Sequence, residues 1–364
     1  MKLKELVAIF NQFAPMIYQE AYDNTGIQIG EPEKEIQAAL LSLDVTEEVI
    51  QEAIEKKCNL IITHHPLLFR GLKRISGSSM QERIVLQAIR NDIMIYSAHT
   101  NLDAIAGGVN GEIADRLGLR ETKILRAKEN TLKKLITFCP PDYIDSIRDS
   151  LSLTGAGRIG NYDSCSFTVS GTGTFKPLPG SEPFKGQHDK LAREKEVKLE
   201  MIFPSHLQNR IITELKSVHP YEEVAFDIIQ LSNTNPEIGS GIIGNLKAPM
   251  KTTDFMDMVK LTFKAPVIRH TDLHKDEIET VALCGGSGSF LLSDAIQQKA
   301  DVFLSSDFKY HDFFGSEGKI TILDIGHYES EQFTTSVIAR LLKQNLATFA
   351  VHFSKVNTNP VNYY

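Results

Sequence analysis

The sequence predicts an α/β protein whose two ends build one domain around an inserted ferredoxin-like unit. Three observations predict it. Short apolar runs alternate with helical patterns through residues 1–127, the same style returns over 236–364, and the stretch 128–235 between them follows a different order. Strands and helices alternating at this spacing imply parallel βαβ units. A chain of 364 residues is also too long for one ordinary core, so more than one domain is expected.

Each element has its own signal. Over residues 1–15, Leu3, Leu6, Val7, Phe10 and Phe13 fall at helical spacing. This reads as an amphipathic helix and not as a signal peptide, which needs an unbroken apolar run. Residues 38–43 read as a strand, followed by a helix from near Thr46, an N-cap with Glu47 and Glu48 in its first turn. Residues 59–63 form a strand that ends in His64-His65-Pro66, and 93–97 another that ends near His99. In the last segment 281–283, 302–305 and 320–323 read as buried strands separated by helices. The middle segment opens with a strand over 132–138, and Pro140-Pro141-Asp142 starts a helix that runs to about Leu151. Two β runs follow, 164–174 and 196–203. Ser205 with Gln208 then makes a capping box for a second helix, and 222–231 is the final strand. The order βαββαβ is the ferredoxin-like pattern. The polar stretch 181–195 is expected to be a long exposed hairpin loop.

Bulk properties exclude several function classes. A net charge of −7 argues against general nucleic-acid binding, because neutralising phosphates needs a basic excess. Cys58, Cys139, Cys165 and Cys284 are far apart and form no CxxC or CxxH pair, which disfavours a thiolate zinc site and suits a reducing cytoplasm, the expected location. No stretch approaches the ~20 apolar residues of a membrane span, so no membrane partner is expected.

Three segments carry candidate chemistry. In Thr63-His64-His65-Pro66 two imidazoles sit where a hydrophobic strand empties into a loop, and in open α/β sheets ligands bind outside the carboxyl ends of strands. Adjacent side chains on a strand point apart, so the pair could serve one metal each. The second segment, His99-Thr100-Asn101-Leu102-Asp103, also follows a strand, and Asp103 has two oxygens with which to bridge cations. In the third, Gly326 to Glu331, His327 and Glu331 are four apart and share a face if a helix begins there. Singly, each segment is also what an exposed turn or a helix cap would look like. Together, three histidines and two carboxylates at the ends of apolar β runs suit two divalent cations such as Zn, Fe or Mn. Dinuclear sites polarise a substrate oxygen and generate hydroxide near neutral pH. Asp44 and Asp23-Asn24 line the same rim or serve as caps and turn formers.

Other motifs are weaker. Gly155-Ala156-Gly157-Arg158-Ile159-Gly160 matches GxGxxG but follows a helix, the wrong context for a dinucleotide site. Gly285-Gly286-Ser287-Gly288-Ser289 follows a strand and opens a helix; Gly286, Ser287 and Gly288 are candidates for binding a substrate anion, with a tight βα turn as the alternative. His219-Pro220-Tyr221-Glu222-Glu223 reads as a structural turn before the last strand of the middle segment.

These segments resemble the family of GTP cyclohydrolase I type 2 homologues, also called the NIF-three-like family. The matching motifs are Tyr22-Asp23-Asn24-Thr25-Gly26, Leu43-Asp44-Val45-Thr46, Thr63 through Phe69, His99 through Asp103, Cys284 through Gly288, Ser306 through Asp312 and Gly326 through Glu331, in that order. The resemblance implies an α/β fold and a two-metal site whose ligands, carried over by motif, are His64, His65, Asp103, His327 and Glu331. It also implies a toroidal homohexamer with its sites facing inward, and a PII- or CutA-like identity for the middle segment. Two positions depart from the family pattern. Tyr22 stands where Trp is usual, and Ser306 where Gly is usual before the Asp. Neither is an expected ligand. The expected activity is metal-dependent hydrolysis of a nucleotide or other phosphorylated small molecule, either as a GTP cyclohydrolase-like ring opening or as phosphoester cleavage, with His99 and His311 as proton shuttles. The alternative is a non-catalytic metal-binding or regulatory scaffold that acts through its inserted domain.

Overall fold

In the first third of the chain three wholly buried runs, Ala38–Ser42, Leu60–Thr63 and Met94–Ser97, lie side by side and parallel, with Leu40 opposite Ile61 and Ile61 opposite Ile95. Burial on both faces explains why these strands read as unbroken apolar runs and not as alternations. Gly26–Ile29 closes one edge of the sheet, antiparallel to Met94–Ser97. The other edge is closed by Ala350–Phe353, a strand from the far end of the chain, parallel to Ala38–Ser42. The computed structural model describes residues 1–364.

The second sheet has six strands, in the order Arg269–His270, Thr321–Asp324, Val302–Ser306, Glu277–Ser287, Gly239–Lys251 and Arg120–Ala127. Thr321–Asp324, Val302–Ser306 and Glu277–Ser287 run parallel, and the other pairings are antiparallel. Each sheet therefore takes a strand from the opposite end of the chain. One core joins both sheets: Leu41, Ile62 and Tyr96 from the first and Val281, Leu304 and Leu323 from the second pack in one cluster with Leu6, Phe10, Phe255, Ile338 and Leu342 from helices. Burying each such side chain contributes about 1.5–3 kcal/mol. The helix Glu47–Glu55 begins as the sequence implies: Thr46 Oγ1 accepts from the Val49 N–H at 3.3 Å, and Glu47 and Glu48 occupy the first turn.

Residues Met1–Ala127 and Pro236–Tyr364 make one unit and Lys128–Asn235 another. The second unit runs Leu132–Cys139, Ile144–Leu153, Phe167–Phe175, Ala192–Pro204, Gln208–Val218 and Phe226–Gln230 in chain order, strand-helix-strand-strand-helix-strand. Its antiparallel sheet has the order Phe167–Phe175, Ala192–Pro204, Leu132–Cys139, Phe226–Gln230. Its own core holds Leu135, Leu151, Leu199, Phe203, Ile211 and Leu215. Three details differ from the sequence reading. The strands expected over 164–174 and 222–231 start later, as Phe167–Phe175 and Phe226–Gln230. The strand expected from 196 begins at Ala192, because every residue from Ala192 to Lys195 already pairs with one from Thr172 to Phe175, so the connecting loop covers 176–191. The expected capping box is also absent. Ser205–Leu207 forms a 3₁₀ turn with no side-chain cap, and the Ser205 N–H goes to Thr131 O instead. No helix is long and apolar enough to cross a membrane.

Candidate metal centre

Parallel strands end on a common edge, and here the carboxyl ends of both sheets deliver polar residues to one place. From the first sheet come Asp44, two residues past Ala38–Ser42, His64 and His65 directly after Leu60–Thr63, and His99, two past Met94–Ser97. From the second come Asp307, directly after Val302–Ser306, and the helix His327–Glu331 that follows Thr321–Asp324.

Four histidines are held the same way. His64 Nδ1 donates to the Ala98 carbonyl at 2.9 Å. The Nδ1 atoms of His65, His99 and His327 each meet a carboxylate at 2.7 Å, belonging to Asp44, Asp23 and Asp307 respectively. With Nδ1 engaged in this way, Nε2 is the nitrogen each ring turns toward the others, the orientation that metal-ligating histidines adopt. One ring nitrogen of each of His64, His65 and His99 lies within 4.8 Å of the others, and the same holds for His65, His327 and Glu331.

Glu331 is the residue that spans both groups. Its Oε2 is 3.0 Å from Nε2 of His65 and 3.0 Å from Nε2 of His327, while Oε1 stands 3.7 Å from His64 Nε2. The two imidazole nitrogens of His65 and His327 are 3.3 Å apart. Asp103, expected as a bridging ligand, closes on His64 alone, with Oδ1 at 3.6 Å from Nε2. That separation is too long for a hydrogen bond. His64 Nε2 and Asp103 Oδ1 are both buried and have no hydrogen-bond partner. Orphaned buried polar atoms cost about 1–3 kcal/mol each. A cation with bonds of about 2.0–2.2 Å would sit between them and remove that cost.

The electrostatics match. Burial alone would lower the His65 pKa, but Asp44 and Glu331 outweigh it and push it up to about 10. His327 is likewise pushed up to about 11 by Asp307 and Glu331 against the effect of burial. Burial raises the Asp103 carboxyl to about 7, against the pull of His64. Burial also disfavours the Glu331 anion, but His64, His327 and His65 hold its pKa well below the usual value. Without cations, protons on these imidazoles balance a cluster of inward-facing carboxylates, a charge that divalent ions carry equally well.

Gly286 belongs to this site through clearance. Its backbone is left-handed at φ +61°, and a Cβ there would come within 2.2 Å of Glu331 Oε1. Its N–H is donated to Ser330 Oγ at 2.9 Å and its carbonyl accepts from Ser305 and Ser306, so this amide is not open to an anion. The strand Glu277–Ser287 includes both Gly286 and Ser287. Gly288 packs close to Ser305 and Cys284. His311 joins neither histidine group: it is exposed, and its ring rests on Tyr310 and Phe314.

The sequence reading passed over the roles of Asp307 and of the C-terminal tail. Asp307 carries the signal of an Asp directly after a buried strand, and its backbone is left-handed at φ 59°. The tail carries none. Thr358 Oγ1 donates to Asp44 Oδ2 at 2.7 Å and Asn359 Nδ2 to Glu329 Oε1 at 3.0 Å. Tail residues Asn359 to Val361 and Tyr363 line a cavity of about 410 Å³ together with His65, His327 and Arg269. Arg269 is paired with Asp324 across that wall.

A family model described as Duf34/NIF3 (NGG1p interacting factor 3) matches residues 1–360. Among curated proteins, the GTP cyclohydrolase 1 type 2 homolog of Bacillus subtilis (strain 168) is 37% identical over 365 residues, spanning 99% of this chain and 98% of that protein. The protein of the same name from Staphylococcus epidermidis is 36% identical over 368 residues and 100% of both chains. Among solved structures, a Bacillus cereus protein related to NIF3 superposes with a TM-score of 0.87 at 34% identity, over 100% of this chain and 99% of that one. A Staphylococcus aureus protein does so at 0.79 and 30% identity, with the same coverage.

Proposed function

The chain belongs to the Duf34/NIF3 family, and from that premise we propose that it is a dinuclear metal-dependent hydrolase acting on a nucleotide or another phosphorylated small molecule. The observation that carries the reading is the buried pair His64 Nε2 and Asp103 Oδ1, left without partners beside a carboxylate shared by two further imidazoles. His64, Asp103 and Glu331 Oε1 would hold one cation; His65, His327 and Glu331 Oε2 would hold the other. Imidazole and carboxylate donors suit Zn, Fe or Mn. Such cations supply Lewis-acid activation of a substrate oxygen and of water.

The protein's own residues do the rest. Asp44, Asp23 and Asp307 fix the imidazoles. His99, oriented by Asp23, is placed to carry a proton at its other nitrogen. A cavity of about 410 Å³ beside His65 and His327 falls in the range that takes small ligands. Arg269 on its wall, held by Asp324 through Nη2, would turn its other guanidinium N–H groups to an anionic group such as a phosphate. The relatives' name suggests ring opening of a purine nucleotide as one version of the reaction, with phosphoester cleavage as the other. In the same reading the inserted unit is ferredoxin-like, of the PII/CutA type, an assignment supported by its strand order. The assembly is a toroidal homohexamer, which light scattering on the purified chain would test.

The deciding experiment measures turnover across a panel of nucleotides and phosphoesters with purified protein loaded with Zn, Mn or Fe. Activity that disappears in Asp103→Ala supports the proposal. Metal-loaded protein that turns over nothing in the panel would favour the non-catalytic scaffold.

A further inference from the structure

The inserted unit contains a second cavity, independent of the metal centre, of about 340 Å³. Its construction follows from the sheet. Residues paired directly across two strands point to the same face, and Ala192 pairs with Phe175, Glu194 with Gly173 and Glu196 with Gly171. The alternate residues Val197, Leu199, Met201 and Phe203 fill the core beneath the other face. Gly171 and Gly173 thus open a trough on the outer face, and Glu196 lies down into it. A Cβ at Gly173 would come within 2.1 Å of Glu196 Oε2. Glycine inside a strand weakens it, and commonly marks a place where another group must approach closely.

Aromatic rings surround this carboxylate. The Tyr221 ring lies 6.5 Å from Phe175 and 6.0 Å from Phe184, and its hydroxyl donates to Glu196 Oε1 at 2.9 Å. Phe138 lines the same cavity. Two lysines also line the cavity, each paired with a carboxylate other than Glu196: Lys185 with Glu194 at 3.7 Å and Lys176 with Asp189 at 3.8 Å. Glu222, also on the lining, accepts the Glu182 N–H at 2.8 Å. Glu196 is therefore a half-buried carboxylate whose hydrogen-bond partner is a neutral hydroxyl and which has no cation from its own chain. Aromatic faces and an unpaired carboxylate attract the same kind of ligand, since a ring binds a cation within about 6 Å of its centroid. The segment His219 to Glu223, which reads in the sequence as a structural turn, supplies Tyr221, Glu222 and Glu223 to this cavity.

We propose that this cavity binds a small organic cation bearing an alkylammonium group, seated among Phe175, Phe184 and Tyr221 with Glu196 as its counter-ion. The test titrates tetramethylammonium chloride into the full-length protein at constant ionic strength. Binding is followed by the line width of the ligand methyl signal, with tert-butanol as the neutral comparison of similar shape. Saturable binding of tetramethylammonium but not of tert-butanol is expected. Glu196→Gln should weaken it about tenfold or more, as loss of a counter-ion to a caged cation implies. Phe184→Ala alters an exposed ring on the 176–191 loop, so it should keep the melting temperature while weakening binding several-fold. That variant decides the matter if Glu196→Gln fails to fold. Absence of saturation, equal binding of tert-butanol, or wild-type affinity in the folded variants would overturn the proposal.

Discussion

Replacing Glu331 by glutamine keeps the side chain's size and removes the charge shared by His65, His327 and His64. Two effects must be separated. In the metal-free protein the change breaks ion pairs with two imidazoles whose pKa values it helps to raise, so the apo form itself loses stability. The diagnostic quantity is therefore the gap between metal-loaded and chelator-treated protein, measured for each variant on its own. For the wild type, a cation at a hundredfold excess over its Kd stabilises the folded state by about 2.7 kcal/mol. This is within what relieving two orphaned buried atoms can supply, at about 1–3 kcal/mol each. For a unit of roughly 250 residues, about 2 °C accompanies each kcal/mol, so the gap should be about 5 °C or more. Differential scanning calorimetry with Zn or Mn, against the same protein in chelator, reads it directly. Glu331→Gln and His64→Ala should each remove most of the gap. Glu329→Gln alters a buried carboxylate that faces Gly326 and Asn359 and not the histidines. It should lower both melting temperatures and preserve the gap. A wild-type protein without any gap, or a Glu331→Gln variant that retains all of it, would refute the reasoning.

Four further outcomes are expected. Elemental analysis of protein purified without chelator should approach two divalent metals per chain, and Asp44→Asn, which loosens His65, should weaken metal affinity about 10- to 100-fold in a chelator competition. Burial disfavours the Glu52 anion, but Lys56, Ser354 and the Lys355 amide outweigh it and bring its pKa from 4.5 down to about 2. The stability it contributes is thus complete above pH about 4.5 and is lost as pH falls toward 2, so Glu52→Gln should flatten this part of the acid-unfolding curve and cost about 2 kcal/mol at neutral pH by chemical denaturation. Replacing residues 128–235 by a short Gly/Ser linker should leave a folded, metal-loaded protein, because Ala127 and Gly239 are ladder partners about 5 Å apart, a span that a short hairpin loop covers. An insoluble or metal-free product would contradict it.

The sequence showed what burial made loud. Ala38–Ser42, Leu60–Thr63 and Val302–Ser306 are buried at every position, so they stand out as apolar runs, and a histidine or aspartate just beyond such a run is conspicuous. Arg120–Ala127 and Ala350–Phe353 were silent for the opposite reason. They are edge strands with mostly exposed side chains, and ladder hydrogen bonds leave no mark on composition. The division of labour among the acids was also hidden. Asp44, Asp103 and Asp307 all follow strands, and an aspartate there reads equally as a cap, a ligand or a holder of a ligand. Only the fold shows that two of them hold imidazoles while one faces His64. His311 drew attention by residue type and nearness in sequence, but its ring packs against aromatic neighbours and joins neither histidine group.

The tail gives the centre a physical link to the end of the chain. Glu52 on the helix Glu47–Glu55 accepts from Ser354 Oγ at 2.5 Å and from the Lys355 N–H at 3.0 Å. This fixes the point at which the chain leaves its last strand. Four residues on, Thr358 reaches Asp44, which in turn holds His65. Asn359 and Tyr363 then border the cavity beside His327. The orientation of His65 thus depends on contacts made by the last residues of the chain, and the position of His327 depends on a sheet completed by Arg120–Ala127 from the first half. Neither half can present its histidines in register without a strand or a strap from the other. A site assembled this way exists only in the closed unit, so any cation it binds acts on folding as a whole, and metal affinity and the cooperativity of unfolding should change together when the tail is loosened.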